Sequence, residues 1–355
     1  MIFRTFGWSF GFTVVGLALG YLYGGGVGLL LVGILCVLEI SLSFDNAVVN
    51  ATILERMSAF WQKMFLTVGV IIAVFGMRLI FPLVVVAVGA QLSPVDAVTL
   101  ALEKGDPETP GTYGYILHEA HPSIAAFGGM FLLMLFLNFV FEERDVRWLR
   151  WIEVPLAKIG RLESASVITA LIVLFVAGTV IATPESSLTV LISGIIGIGS
   201  YLLISALGNL FALSAGDETT ANNTVVKATG KAAFFLFLYL EVLDASFSFD
   251  GVIGAFAITS DPVLIAIGLG VGAFYIRSIT IFLVRQGTLK EFRYLEHGAL
   301  WAVGALAVIL LITIRYEIPE IVTGLIGVLF IGSGWISSVV HNRRDARAQA
   351  AVGTP

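Results

Sequence analysis

The sequence predicts an all-α polytopic membrane protein with about ten transmembrane helices and two inverted repeats, in a single transmembrane domain over residues 1–355. Three observations predict this class: the overall hydropathy, the placement of basic residues, and two similar acidic hairpins far apart in the chain. The 355 residues are 58% hydrophobic and only 13% charged, with a mean hydropathy of +0.97. Soluble domains carry about twice that charged fraction, which excludes a soluble globular class.

Ten apolar segments are candidate spans, and most have the roughly 17–25 residues that a helix needs to cross a bilayer. They are 8–23, 27–52, 64–90, 125–141, 165–183, 186–213, 231–259, 262–285, 298–315 and 318–340. Only three glycines divide the first two segments. The first is interpreted as a span rather than a signal peptide, because no small-residue cleavage site follows it.

Basic residues give the orientation of these segments. If the N-terminus is cytoplasmic, sixteen of the 20 Lys and Arg residues lie in cytoplasmic segments, two lie outside, and Arg78 and Arg277 lie within spans. This bias predicts ten spans in the inner membrane with both termini in the cytoplasm. The outer loop 91–124 is acidic and rich in proline. The basic inner loop 142–164 is expected to hold an interfacial helix, and the tail 342–355 is expected to be flexible.

Two hairpins of the sequence resemble each other. With Asp250 set over Asp45, the stretch LDASFSFDGVIGA (243–255) follows the pattern of EISLSFDNAVVNA (39–51). The next helices also match, with GLGVGAFYIRSI (268–279) over GVIIAVFGMRLI (69–80). We therefore expect a first repeat over 27–141, with 8–23 as an N-terminal helix, and a second repeat over 231–315.

The two motif segments lie on the second and seventh spans, so five crossings separate them and they run in opposite directions. Transporters commonly have such inverted repeats and bind substrate near the bilayer midplane, between the repeats.

The motif places four carboxylates, Glu39, Asp45, Asp244 and Asp250, in the hydrocarbon zone. Each costs roughly 2.5–3.5 kcal/mol there unless it faces a partner, a cation or water. One interpretation is inert polar contact between helices, although Ser, Thr or Asn usually fill that role at lower cost. The other interpretation is a cation site.

Oxygen ligands of this kind suit Mn²⁺, with Ca²⁺ or Mg²⁺ as alternatives, better than Cu⁺ or Zn²⁺. The candidate metal ligands are Glu39, Asp45, Asn46, Glu241, Asp244 and Asp250, with the hydroxyl groups of Ser41, Ser43, Ser246 and Ser248 in support. The same carboxylates could carry protons, since burial raises a carboxyl pKa and cation binding lowers it. Exchange of a metal ion for protons is therefore open to this site.

Arg78 and Arg277 occupy matched positions in the two hairpins. Either they pair with carboxylates when metal is absent and act as a gate, or they form fixed structural ion pairs. Helix geometry adds a constraint: Glu39 and Asp45 are about 120° apart around a regular helix and about 9 Å apart along it. We therefore expect a helix break near Phe44 or ligands from the other repeat, and Gly251 would ease a break in the second copy.

Other functional classes have little support. The sequence lacks Walker A, GxSxG and HExxH patterns, so we expect no enzyme. Its basic residues are spread over short loops, so nucleic acid is not an expected partner. The single cysteine, Cys36, lies in an apolar run and is interpreted as a small buried hydrophobe.

The residues EISLSFDNA with GMRLI, and LEVLDASFSFDG with IRS, resemble the paired signatures of the TerC family of integral membrane proteins, which belongs with the LysE-type exporters. The resemblance implies metal-ion homeostasis, chiefly manganese efflux, with a link to tellurite resistance. It carries the acidic motif positions over to Glu39, Asp45, Asn46, Asp244 and Asp250. The family commonly has a serine and an Ile-Pro-Ala run after the second aspartate, where this chain has Gly-Val-Ile-Gly, which indicates a divergent branch.

Two alternative functions remain. A non-transporting scaffold or assembly factor would bind membrane partners stably, and an exporter of cationic organic solutes would be inhibited by amino acids rather than metals. A scaffold has no need for two matched carboxylate sets, so the repeat favours a transporter.

Overall fold

A computed structural model of the chain describes residues 2–103, 105–106, 108–144, 146–214, 228–259, 261–286 and 292–352. Within these ranges the secondary structure is helical, apart from an isolated β-bridge between Met57 and Ala228. In chain order the helices are α1 (Ile2–Leu42), α2 (Phe44–Leu54), α3 (Ala59–Met64), α4 (Phe81–Gly89), α5 (Pro94–Leu102), α6 (Tyr113–Phe141), α7 (Arg150–Ile159), α8 (Ala165–Val176), α9 (Ser187–Ser214), α10 (Gly230–Ile258), α11 (Pro262–Gln286), α12 (Leu295–Thr313) and α13 (Glu320–Val352). The wider π-helical form occurs at Phe65–Gly69, Ile72–Ile80 and Ala177–Ile181.

Seven stretches of the described residues are long and apolar enough to cross a membrane. They are Thr5–Ile40, Ala59–Val88, Tyr113–Phe141, Ser187–Leu207, Pro262–Val284, Leu295–Thr313 and Val322–Asp345. A shorter apolar helix covers Ala165–Ile181. A helix satisfies its own backbone polar groups, as a span in lipid must, so this all-helical chain suits a lipid environment.

The first of these stretches reverses direction at the glycines that divide the first two predicted segments. Gly25 has a φ of +62°, which a residue with a side chain rarely adopts. A Cβ added to Gly28 would overlap the carbonyl oxygen of Gly20, which is too far away along a straight helix for such a contact. Helix α1 is therefore two antiparallel arms, and both pack against α11.

A second interruption lies within the first motif segment. Helix α1 ends at Leu42 and α2 begins at Phe44, because Ser43 has a non-helical ψ of 14°. The Ser43 N–H still donates to the Glu39 carbonyl, and its own carbonyl accepts from Ala47. The predicted break near Phe44 is thus confirmed as a local bend at Ser43. The second copy differs, because α10 continues through Gly251 without a break.

Helix α6 forms the centre of the bundle and packs against α9, α10 and α12. Its apolar side chains between Met130 and Met134 are almost fully buried. Helix α10 also packs on the π-helical stretch Ile72–Ile80, while α11 packs on α1 and α2. Each motif helix therefore contacts the second helix of the other hairpin.

The loops differ from the sequence expectation mainly by being more helical. The outer loop 91–124 contains α5 and about the first three turns of α6, which begins well before the predicted span 125–141. Thr112 starts α6 by accepting a hydrogen bond from the Tyr115 N–H. The inner loop 142–164 contains α7, as expected, and α13 continues to Val352 over most of the predicted tail.

Candidate functional site

The two motif segments cross with opposite chain directions. Asn46 Nδ2 donates a hydrogen bond of 2.8 Å to Asp244 Oδ1. Seven residues earlier, Glu39 Oε2 lies 3.3 Å from where a Cβ on Gly251 would stand. Residue numbers therefore rise along one segment while those of the contacted residues fall along the other, so the segments run antiparallel where they meet.

The first carboxylate of the site forms an ion pair within its own hairpin. Glu39 and Arg78 are both buried, and an Arg78 Nη2 hydrogen bond joins Arg78 to Glu39 Oε1. Ser43 Oγ donates to the same oxygen at 2.9 Å. Glu39 thus receives donors from the bend at Ser43 and from the next helix of its hairpin.

Arg78 lies in the π-helical stretch Ile72–Ile80, and its Nη1 also donates to the Ala73 carbonyl at 2.6 Å. A π-helical turn widens the backbone and leaves carbonyl groups less well paired, and it often marks a functional site. The local backbone therefore helps to hold the guanidinium towards Glu39.

The second carboxylate has the matching arrangement in the other hairpin. Arg277 Nη2 donates to Asp244 Oδ2 at 3.2 Å and to the Gly69 carbonyl at 3.3 Å. The guanidinium carbon lies 3.7 Å from the centroid of the Phe65 ring. Glu241 Oε1 is 3.8 Å from the same nitrogen of Arg277, an ion pair without a hydrogen bond.

Two polar side chains at this crossing are buried without hydrogen-bond partners. Both oxygens of Glu241 and both side-chain polar atoms of Asn50 lack one, and these residues are 7% and 0% exposed. Asn50 lies one turn after Asn46, and Glu241 one turn before Asp244, so both extend the face of the Asn46–Asp244 contact. Buried polar groups of this kind usually mark a catalytic, ion or water site.

Asn50 was not among the predicted ligands, although its spacing of four residues from Asn46 gives a signal in the sequence. The predicted residues Glu39, Asn46, Glu241 and Asp244 all lie at the crossing. Among the supporting serines, Ser43 contacts Glu39, Ser246 Oγ donates to its own helix at Val242, and Ser248 is buried. The side chains of Asp45, Asp250 and Ser41 lie outside the described residues.

Two glycines let backbone approach these side chains. A Cβ on Gly272 would lie 2.5 Å from Cβ and Cγ of Glu39. A Cβ on Gly69 would lie 2.6 Å from Glu241 Oε1. Real contacts of that length do not occur, so each acidic side chain uses space that only glycine leaves.

The charge balance of the site is set by the two arginines. Among the described side chains, Glu39 and Asp244 each face an arginine rather than each other, and no group of three His, Cys, Asp or Glu that could hold a metal ion occurs there. A cation can bring the carboxylates together only if it weakens at least one of these ion pairs.

A separate buried polar cluster lies where α7 meets α12. Glu153 accepts from the Trp148 N–H at 3.0 Å and from Trp301 Nε1 at 3.1 Å, with His297 Nδ1 at 3.6 Å. Burial raises the pKa of Glu153, but the nearby His297 and the hydrogen bonds from Trp301 Nε1 and the Leu149 N–H outweigh it and lower the pKa to about 2. This carboxylate anchors α7 to the bundle, and nothing in its spacing in the sequence signals it.

Comparison with known proteins gives one family. A family model described as "Protein of unknown function (DUF475)" matches residues 44–345. No curated protein and no solved structure matches the chain. The matched part includes both arginines, the second motif helix and most of the first motif segment, and it covers well over half of the chain. The chain therefore belongs to this family.

Proposed function

We propose that this protein exports divalent metal cations, with Mn²⁺ as the favoured cargo and protons as counter-ions. One observation carries the proposal: Glu39 and Asp244, buried in apolar helices, are each paired with an arginine of their own hairpin where the two hairpins cross. The proposed ligands are Glu39, Asp45, Asn46, Glu241, Asp244 and Asp250.

The energetic cost of the site supports a functional role. A carboxylate in the middle of a membrane helix costs roughly 2.5–3.5 kcal/mol, and an arginine costs a similar amount. Replacing buried ion pairs with apolar side chains is often neutral or stabilising, so stability alone does not explain two such pairs. Glu241 and Asn50 add further cost, since their polar atoms have no hydrogen-bond partners.

The contacts also support inverted repeats. The alignment that sets Asp250 over Asp45 sets Asp244 over Glu39 and Gly251 over Asn46. If each residue is replaced by its aligned equivalent, the approach of Glu39 to Gly251 becomes the contact of Asp244 with Asn46. The two contacts are therefore related by exchange of the two segments. This relation favours inverted repeats, while the charges of the loops favour the proposed topology of ten spans in the inner membrane with both termini in the cytoplasm.

The chemistry of export follows from competition between cations. A divalent ion attracts the same carboxylates as the arginines and needs several hard oxygen ligands, which the acids, amides and a serine hydroxyl supply. When the ion leaves, an arginine or a proton takes its place on the carboxylate. The resemblance of both motifs to the TerC family favours Mn²⁺ as cargo.

Flux through purified protein tests the proposal. Proteoliposomes containing the full chain should move Mn²⁺ and generate an opposite pH change. Asp45→Asn, Asp250→Asn and Glu39→Gln should each abolish the flux, while Glu185→Gln, which removes an exposed carboxylate in a short connection, should not change it. Unchanged flux in the three motif variants would exclude the proposed site, and the absence of wild-type flux together with stably bound protein partners would favour a scaffold.

A further inference from the structure

The two arginines of the site occupy matched sequence positions but are held differently. Arg277 contacts Phe65 and Gly69, which belong to the first hairpin, as well as Asp244 of its own hairpin. Arg78 bonds to Glu39 and to the Ala73 carbonyl, and both of these belong to its own hairpin. Arg277 is therefore bound from both hairpins.

The aromatic ring explains the difference. Phe65 is fully buried, and its ring centroid lies 3.7 Å from the guanidinium carbon of Arg277. The alignment that sets Gly268 over Gly69 puts Leu264 at the position equivalent to Phe65, so the second hairpin carries no ring there for Arg78.

An aromatic ring stabilises a guanidinium in an apolar bundle where few hydrogen-bond acceptors surround it. Arg277 Nη1 has no hydrogen-bond partner. The negative face of an aromatic ring stabilises a desolvated cation, and the flat guanidinium group stacks on it in a defined orientation. That orientation directs Nη2 towards both Asp244 and the Gly69 carbonyl.

We propose that Phe65 is a positioning residue that makes Arg277 the permanent counter-charge of Asp244, so that the pair of Arg78 and Glu39 is the one that opens when a cation binds. The fixed position of Arg277 does not depend on the proposed function. The separation of Arg78 from Glu39 on cation binding does rest on the proposed function. Asp244 then keeps one orientation, facing Asn46, throughout the transport cycle.

Three substitutions isolate the ring. Phe65→Leu removes it, and Phe65→Tyr retains it. Phe131→Leu is the matched control, because Phe131 is equally buried but contacts the rings of Tyr201 and Tyr239 rather than an arginine. In a Mn²⁺ titration of the purified full chain, Phe65→Leu should weaken Mn²⁺ binding by about tenfold or more. Phe65→Tyr should bind Mn²⁺ with the affinity of the wild type. Equal effects of Phe65→Leu and Phe131→Leu would overturn the proposal.

A double-mutant comparison shows whether the ring acts through the arginine. In an Arg277→Lys background, which keeps the charge but loses the flat fork, Phe65→Leu should weaken Mn²⁺ binding much less than it does alone. A full additional loss of affinity there would show that Phe65 acts on packing alone. Transport kinetics separate the arginines: Arg78→Lys should change mainly the maximal rate, and Arg277→Lys mainly the apparent affinity. The reverse pattern would contradict the assigned roles.

Thermal unfolding without metal separates this inference from the proposed function. If the wild type binds no divalent cation, the proposed function fails, but Phe65→Leu and Arg277→Lys should still be non-additive in melting temperature. Additive melting shifts would reject the ring-to-arginine contact whatever the result of the metal titration.

Discussion

Asn46 and Asp244 are 198 positions apart in the chain and share a hydrogen bond of 2.8 Å in the interior of the bundle. The amide comes from the segment that follows the bend at Ser43, and the carboxylate comes from an uninterrupted helix that crosses it. Because Asp244 also accepts from Arg277, one carboxylate joins the two motif segments and an arginine. This contact is the most direct link between the hairpins at the candidate site.

Removing the Asn46 amide should weaken that link. Asn46→Ala leaves Asp244 with one donor fewer in a buried position, which we expect to cost about 1–3 kcal/mol in the free energy of unfolding. Asn138→Ala is the control, because Asn138 is exposed and donates to the neutral Tyr201 hydroxyl at 2.8 Å. The free energy of unfolding of both variants in detergent checks this prediction. An equal loss of stability in the two variants would contradict a larger contribution from the Asn46 hydrogen bond.

The hydroxyl of Ser43 should tune metal affinity through Glu39. Ser43→Ala removes the donor to Glu39 Oε1 and leaves that carboxylate oriented by Arg78 alone among its described donors. Outer partners of this kind typically change metal affinity by about 10–100-fold, so Mn²⁺ binding should weaken within that range. Thr179→Ala, which removes a hydroxyl that bonds to the Phe175 carbonyl, should leave binding unchanged.

A single methyl group at Gly272 should disturb the site through Glu39. In Gly272→Ala the new Cβ would lie 2.5 Å from two Glu39 carbons, so Glu39 must shift and its ion pair with Arg78 is disturbed. Overpacking of this kind costs about 1–3 kcal/mol, and Mn²⁺ flux should fall with it. The control is Gly332→Ala, because no atom lies within 4 Å of its added Cβ and alanine favours a helix. Normal flux and stability in Gly272→Ala would show that Glu39 can adopt another conformation without loss of function.

Protein stability should depend on pH through Glu153. The pKa of this carboxyl is lowered from 4.5 to about 2, so its charged form stabilises the fold above its ordinary pKa. That contribution is lost as the pH falls from about 4.5 towards 2. Glu153→Gln should therefore lower stability by roughly 1.5–3 kcal/mol at pH 7, and the difference from the wild type should shrink below pH 4. A constant difference over pH 2–7 in thermal unfolding would contradict this account.

Much of the fold follows from the sequence because each feature has a local cause. Three glycines at 24–26 predict the reversal in α1, since only glycine adopts a positive φ without strain. The six-residue spacing of Glu39 and Asp45 predicts either a helix break near Phe44 or ligands from the other repeat, and the structure has a bend at Ser43. The early start of α6 at Tyr113 was not predicted, because hydropathy reports contact with lipid and not helix length.

The candidate site is predictable in its residues but not in its pairing. The sequence places acids and arginines in the hairpins, yet whether Arg78 would face Glu39 or a carboxylate of the other hairpin depends on helix rotation, which spacing does not determine. Phe65 and Glu153 were missed for a related reason. An aromatic residue in a membrane helix and an acid in a basic loop are both common, and only packing shows what they contact.

The two arms of α1 have a consequence for the surface of α11. In the first arm, Ser9 Oγ donates to the Phe274 carbonyl, and Thr13 Oγ1 lies 2.9 Å from the Tyr275 hydroxyl. This arm covers the hydroxyl-bearing side of α11, and it lies outside residues 44–345, which the family model matches. A chain shortened to begin after Gly24 would present that side to lipid, and a synthetic peptide of the missing arm should be able to cover it again when added in trans.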